Sequence, residues 1–92
     1  MADFRIFETA QFLKDLTQDF SGQQARVHRK LETYVYPQLR RNPYVGKHIK
    51  KLRGFSPDTW RYRIGDYRFF YTVDALRRVV SMLAVDHRGH AY

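Results

Sequence analysis

The sequence predicts an α+β domain of order β-α-α-β-β-β, with two N-terminal helices packed on one face of a small antiparallel-rich sheet. Three observations carry this reading. Apolar residues recur at spacings of three and four before residue 40. From Trp60 onward the repeat changes to period two. Gly65-Asp66 then interrupts the alternation with a two-residue hairpin signal.

Phe4-Arg5-Ile6-Phe7 reads as a first strand, with Phe4 and Ile6 alternating against Arg5. Thr9 is a suitable N-cap for a helix whose apolar face carries Phe12, Leu13, Leu16 and Phe20. Ser21-Gly22 breaks that helix. A longer one follows from about Gln23 to Leu39, with Val27, Leu31, Tyr34, Val35 and Leu39 as its apolar positions. Its other face is basic: Arg26, Arg29, Lys30 and Arg40. Pro37, near its end, predicts an irregular last turn. Arg41 to Lys51 reads as a connection containing Pro43 and Gly46. The later strands are Trp60–Ile64, Tyr67–Val73 and about Arg78–Asp86, and His87 to Tyr92 forms a polar tail.

The 92 residues fit one domain, 1–92, able to bury about 60–65% of its surface on folding. With no cysteine there is no disulfide, thiolate cluster or thiol nucleophile. No apolar leader or run of membrane-spanning length is apparent, so a soluble, cytoplasmic protein with no membrane partner is expected. Lys+Arg number 17, twelve of them Arg, against nine Asp+Glu, and the net charge is +8. Aromatics make up 16% of a chain whose mean hydropathy is −0.63. An Arg-dominated, aromatic-rich basic domain points to a polyanion, most often nucleic acid. The plainer alternatives are a solubility charge or a complex with an acidic protein.

The hairpin sharpens this. A two-residue turn sets Ile64 opposite Tyr67, then Arg63 opposite Arg68, Tyr62 opposite Phe69, Arg61 opposite Phe70 and Trp60 opposite Tyr71. Opposed residues share a face, so the aromatic set forms the core face, and Arg61, Arg63 and Arg68 form the other. Like charges directly opposed destabilise a sheet by ~0.2–1 kcal/mol. Either the three arginines splay into solvent and pair with Asp58, Asp66 or Asp74, or they form a site for phosphate.

Arginines without metal ligands suit phosphate binding and charge stabilisation in phosphoryl transfer. They are poor proton carriers, since their pKa stays above ~12. The tail offers His87, His90 and Tyr92 beside Arg88 for that task, although tail side chains are usually just solvated. RNA brings its own nucleophile, the 2′-hydroxyl. A cleaving protein then has to orient that oxygen, stabilise the crowded phosphate and protonate the leaving 5′-oxygen. His87-x-x-His90 lacks a third ligand and sits beside Arg88, so neither a metal nor a small-molecule cofactor is expected. Lys47, Lys50, Lys51 and Arg53 extend the basic surface and are candidate backbone-phosphate contacts.

One set of segments resembles the RelE/ParE superfamily of bacterial toxins. They are Lys51-Leu52-Arg53-Gly54, Pro57-Asp58-Thr59-Trp60-Arg61-Tyr62-Arg63, Gly65-Asp66-Tyr67-Arg68-Phe69-Phe70-Tyr71, and Val85-Asp86-His87-Arg88 with Tyr92. The resemblance spans the chain. It implies the toxin of a type II toxin–antitoxin pair, with a cognate antitoxin as partner. In the RelE branch it implies an mRNA interferase, an endoribonuclease that cuts mRNA in the ribosomal A site by metal-independent 2′-hydroxyl attack. The family's basic positions fall on Arg61 and Arg63, its phosphate-stabilising arginine on Arg68, a second arginine on Arg88 and its terminal tyrosine on Tyr92. The best-known RelE pattern has lysines at the first two positions. Both are arginine here, which leaves proton abstraction to His87 or His90, as histidines act in some relatives. The Arg88–Tyr92 spacing is also shorter than in some members. The ParE branch, which inhibits DNA gyrase by binding, is the alternative; it generally lacks the full arginine set. A basic binding module without toxicity is the third.

Overall fold

In the computed structural model, residues 3–18, 22 and 24–87 are described. The elements are β1 (Arg5–Glu8), α1 (Ala10–Leu16), α2 (Gln24–Lys30), a π-helical stretch (Leu31–Val35), α3 (Tyr36–Arg41), β2 (Ile49–Lys51), β3 (Thr59–Ile64), β4 (Tyr67–Asp74) and β5 (Val79–His87). They build the expected α+β fold, with a five-stranded sheet in the order β1-β5-β4-β3-β2.

Two features of the sheet depart from the sequence reading. β2 lies inside the segment read as a connection, where it pairs antiparallel with β3, Ile49 opposite Tyr62 and Lys50 opposite Arg61. β1 pairs with β5 in parallel, Arg5 beside Val79 and Glu8 beside Met82. The sheet is therefore mixed. A helical crossover, not a hairpin, leads away from β1, and that connection permits the parallel sense.

α1 starts at the expected cap. Thr9 is extended, its Oγ1 accepts the Phe12 amide at 3.2 Å, and the same hydroxyl donates to the Met82 carbonyl at 2.7 Å. The cap thus also ties the helix to β5. Further along α1, Asp15 is buried and accepts the Val85 amide at 2.9 Å and the Gln11 side-chain amide at 2.7 Å. Leu13, expected on the apolar face, is exposed, as is Tyr34 on the second helical run. Each sits beside the narrow stripe that meets the sheet rather than on it. Phe20 and the expected start at Gln23 lie outside the described residues.

The irregularity forecast by Pro37 is real but lies upstream. The Tyr36 amide donates to the Leu31 carbonyl, five residues back. Proline has no amide and its ring clashes with the carbonyl four residues back, here Thr33; a widened turn makes room for it. α2, the π turn and α3 then continue as one helical run. It buries Val27, Leu31, Val35, Tyr36 and Leu39 in one core with Phe69, Tyr71, Val80 and Met82.

The β3–β4 hairpin has the register expected from the sequence at every pair from Ile64–Tyr67 out to Trp60–Tyr71. Gly65, at φ +58°, takes the first central position of the turn, where a β-carbon would be strained. Tyr62, Tyr67, Phe69 and Tyr71 are buried against the helices. No helix among the described residues covers the opposite face of the sheet, and that face holds the arginines.

Candidate nucleic-acid interface

The open face is ordered in rows across the strands. One row is Arg63, Arg68 and Asp86; the next is Lys50, Arg61, Phe70 and Ala84. Arg63 does stand directly opposite Arg68. The conflict is relieved from the far side, where Arg68 forms an ion pair with Asp86 on β5. None of the expected partners serves: Asp58 pairs with Lys51 at 3.1 Å, and Asp74 lies 3.9 Å from Arg77. Asp66 is exposed in the turn.

Arg61 and Arg63 form no ion pair among the described residues, and the Nε of Arg61 is buried without a hydrogen-bond partner. Together with Lys47, His48, Ile49, Lys50 and Gly65 they line an open groove of about 440 Å³. Among the described residues its lining brings four cations and one imidazole together with no carboxylate. Guanidinium groups hold phosphate oxygens in bidentate fashion.

The other sequence candidates separate. Lys51 is opposite Trp60, with its amine 5.9 Å from that ring, so it belongs to the edge of the helix face, outside the groove. Arg53 is exposed in the turn after β2. His87 was expected in a polar tail but closes β5. It pairs with Tyr67 and its ring stacks on that ring, centroids 4.8 Å apart. Since Tyr67 faces the helices, His87 lies across the sheet from Arg61, Arg63 and Arg68. Arg88, His90 and Tyr92 lie outside the described residues.

The tyrosines near the site stay protonated at neutral pH. Burial pushes Tyr62 and Tyr67 above the usual phenol value.

Sequence reasoning missed His48. Its carbonyl accepts the Arg63 amide at 3.0 Å, and its ring lies 5.4 Å from that of Tyr62. The only signal for it would have been recognition of β2, because that pairing brings residue 48 level with Arg63. Beside the arginine rows the open face turns apolar, and toward β1 it becomes polar again, with Thr72, Asp74 and Ser81. Leu52, Phe55, Thr59, Phe70, Leu83 and Ala84 line a second groove of about 300 Å³ beside the arginine rows.

Among the described residues no helix is long and apolar enough to cross a membrane. No curated protein matches the sequence. The family model described as the ParE toxin of type II toxin–antitoxin systems matches residues 8–92. Solved structures are similar over nearly the whole chain. The RelBE2 toxin–antitoxin complex of Mycobacterium tuberculosis matches at 26% identity and a TM-score of 0.72, covering 96% of this chain and 94% of that one. A free mutant of the Escherichia coli toxin RelE matches at 26% identity and 0.63, covering 95% and 84%. The RelE–RelB complex of Pyrococcus horikoshii matches at 26% identity and 0.54, covering 97% and 99%. With its hairpin, its arginine face and a family match running from β1 to residue 92, the chain belongs to the RelE/ParE superfamily of type II toxin–antitoxin toxins.

Proposed function

We propose that this toxin is an mRNA interferase that acts on translating ribosomes in the cytoplasm and cleaves mRNA by metal-independent 2′-hydroxyl attack. The observation that carries the reading is the groove where Arg61 and Arg63, with no carboxylate partner among the described residues, lie beside Lys47 and Lys50. There the guanidinium groups hold the scissile phosphate and offset the charge that grows on it as the 2′-oxygen attacks. Arg68, anchored by Asp86, holds the row in place and adds its charge at the rim. Arg88 and Tyr92 complete the site from the tail, as the family motif implies, and His90 adds a backbone contact. The likeness to RelE toxins supports this branch, and two of those structures are complexes with an antitoxin. A cognate antitoxin is accordingly the proposed protein partner.

The second reading, gyrase inhibition by binding alone, is favoured by the ParE family model and by the partial neutralisation of Arg68. Primer extension on mRNA from cells expressing the toxin separates the two. Cuts inside translated codons are expected, and Arg61→Ala or Arg63→Ala should reduce cleavage by roughly 10²–10³-fold, the usual effect of removing one charge-stabilising donor. Intact mRNA together with blocked gyrase supercoiling would sink the nuclease reading.

A further inference from the structure

We infer that the apolar groove beside the arginines is a stacking site for a nucleobase of the bound RNA, which rests on the nuclease reading and gives its substrate a second contact. The sheet register places the two grooves side by side. Lys50, Arg61, Phe70 and Ala84 form one row across four strands. The first two line the basic groove and the last two the apolar one, so a single row walls both. Arg61 and Phe70 are directly opposed, which sets their β-carbons about 4.5–5.5 Å apart on the same face. A ligand seated across this boundary has a negative charge and a flat apolar surface within one small unit. A nucleotide is such a unit: Arg61 takes a phosphate, and the ring of Phe70 meets the base next to it.

The rest of the lining decides how that base is held. Leu52 and Thr59 stand in the next row, the Leu52 amide donating to the Thr59 carbonyl at 2.8 Å. Thr59 carries the groove's one side-chain hydroxyl, and it donates to the Pro57 carbonyl at 3.1 Å. Leu83 adds alkyl surface from β5, and Phe55, between β2 and β3, adds a second ring that is 53% exposed. The side chains therefore offer ring faces and alkyl groups, with no amide or charge to read the edge of a base. Such a site accepts every base and selects weakly among them.

The test measures the affinity of the full chain for a single RNA strand of about eight nucleotides, made uncleavable by 2′-O-methyl groups, at fixed salt by fluorescence anisotropy. Each nucleotide in turn is replaced by an abasic one. In wild type, one abasic position should weaken binding by about 5- to 140-fold, the 1–3 kcal/mol of one base–aromatic stack converted at 1.4 kcal/mol per tenfold. Phe70→Leu, which keeps apolar bulk, should weaken the intact strand to a similar extent, and the abasic change should then cost nothing further. Its salt dependence should match wild type, because the phosphate contacts remain. Phe55→Ser, at an exposed position where folding is not at stake, should act in the same direction.

An abasic loss that is as large in Phe70→Leu and Phe55→Ser as in wild type overturns the inference. So does a loss that disappears in Tyr92→Ala instead, since Tyr92, outside the described residues, is the other aromatic candidate for a base. If both phenylalanine variants bind the intact strand as wild type does, the groove belongs to another occupant, such as an acidic antitoxin segment, and the inference falls. A wild type that does not hold the strand overturns it as well. Primer extension on translating ribosomes judges the nuclease reading separately, so cleaved mRNA beside any of these results leaves that reading standing and removes only the stacking site.

Discussion

Arg68 stands between two neighbours of opposite effect, Arg63 on β3 and Asp86 on β5. The pair with Asp86 is about one-third exposed on both sides, so its own contribution is modest. Its larger effect is to make the opposed arginines tolerable. Asp86→Asn should lower stability by about 1 kcal/mol, measured by urea denaturation, and the loss should shrink at high salt, which screens the exposed repulsion. The Arg63–Arg68 opposition is legible from sequence because a two-residue turn at Gly65-Asp66 leaves one register. The Asp86 partner is not. It depends on the pairing of β4 with β5, where the ladder slips between Phe70 and Tyr71, and a slip of one residue reverses every later side. The same pairing carries His87 into the strand and onto the helix side.

At the scale of elements, α1 is fastened to β5 by polar bonds as well as by Phe12 and Leu16. Asp15→Ala should cost about 1–3 kcal/mol in a denaturant titration, because it strips the acceptor from the Val85 amide. Asp15→Asn, which keeps an oxygen there, should cost less. Thr9 was readable as a cap from its type and place before an apolar repeat. Asp15 was not, since its partner is seventy residues away. β2 escaped notice for a local reason: only three residues long, two of them exposed lysines, it has no room to display an alternation. Pro37 announced a distortion without saying where the helix would absorb it.

The whole molecule divides its sheet into a helix-covered aromatic face and an open face on which basic, apolar and polar patches follow one another. The aromatic face ties stability to pH. Tyr36, which donates to Glu8 at 2.5 Å, and Tyr71, which donates to the Pro43 carbonyl at 2.8 Å, are both pushed up chiefly by burial. Groups whose pKa is raised on folding bind more protons folded than unfolded above the ordinary value of 10.0, so stability falls as pH rises. Their contribution is complete below pH 10.0 and is lost above it. Thermal midpoints should therefore hold level from pH 7 to about 9 and drop beyond 10, less steeply in Tyr36→Phe.

The parallel pair of β1 with β5 also sets a schedule for synthesis. Arg5 finds its neighbour only when Val79 exists, and Thr9 its outer carbonyl only when Met82 does. β1 thus waits for β5, the last of the described strands. A chain cut short before β5 lacks the partner of both β1 and β4 and the Asp86 that holds Arg68, so interrupted translation leaves the arginine hairpin without the strand that braces it.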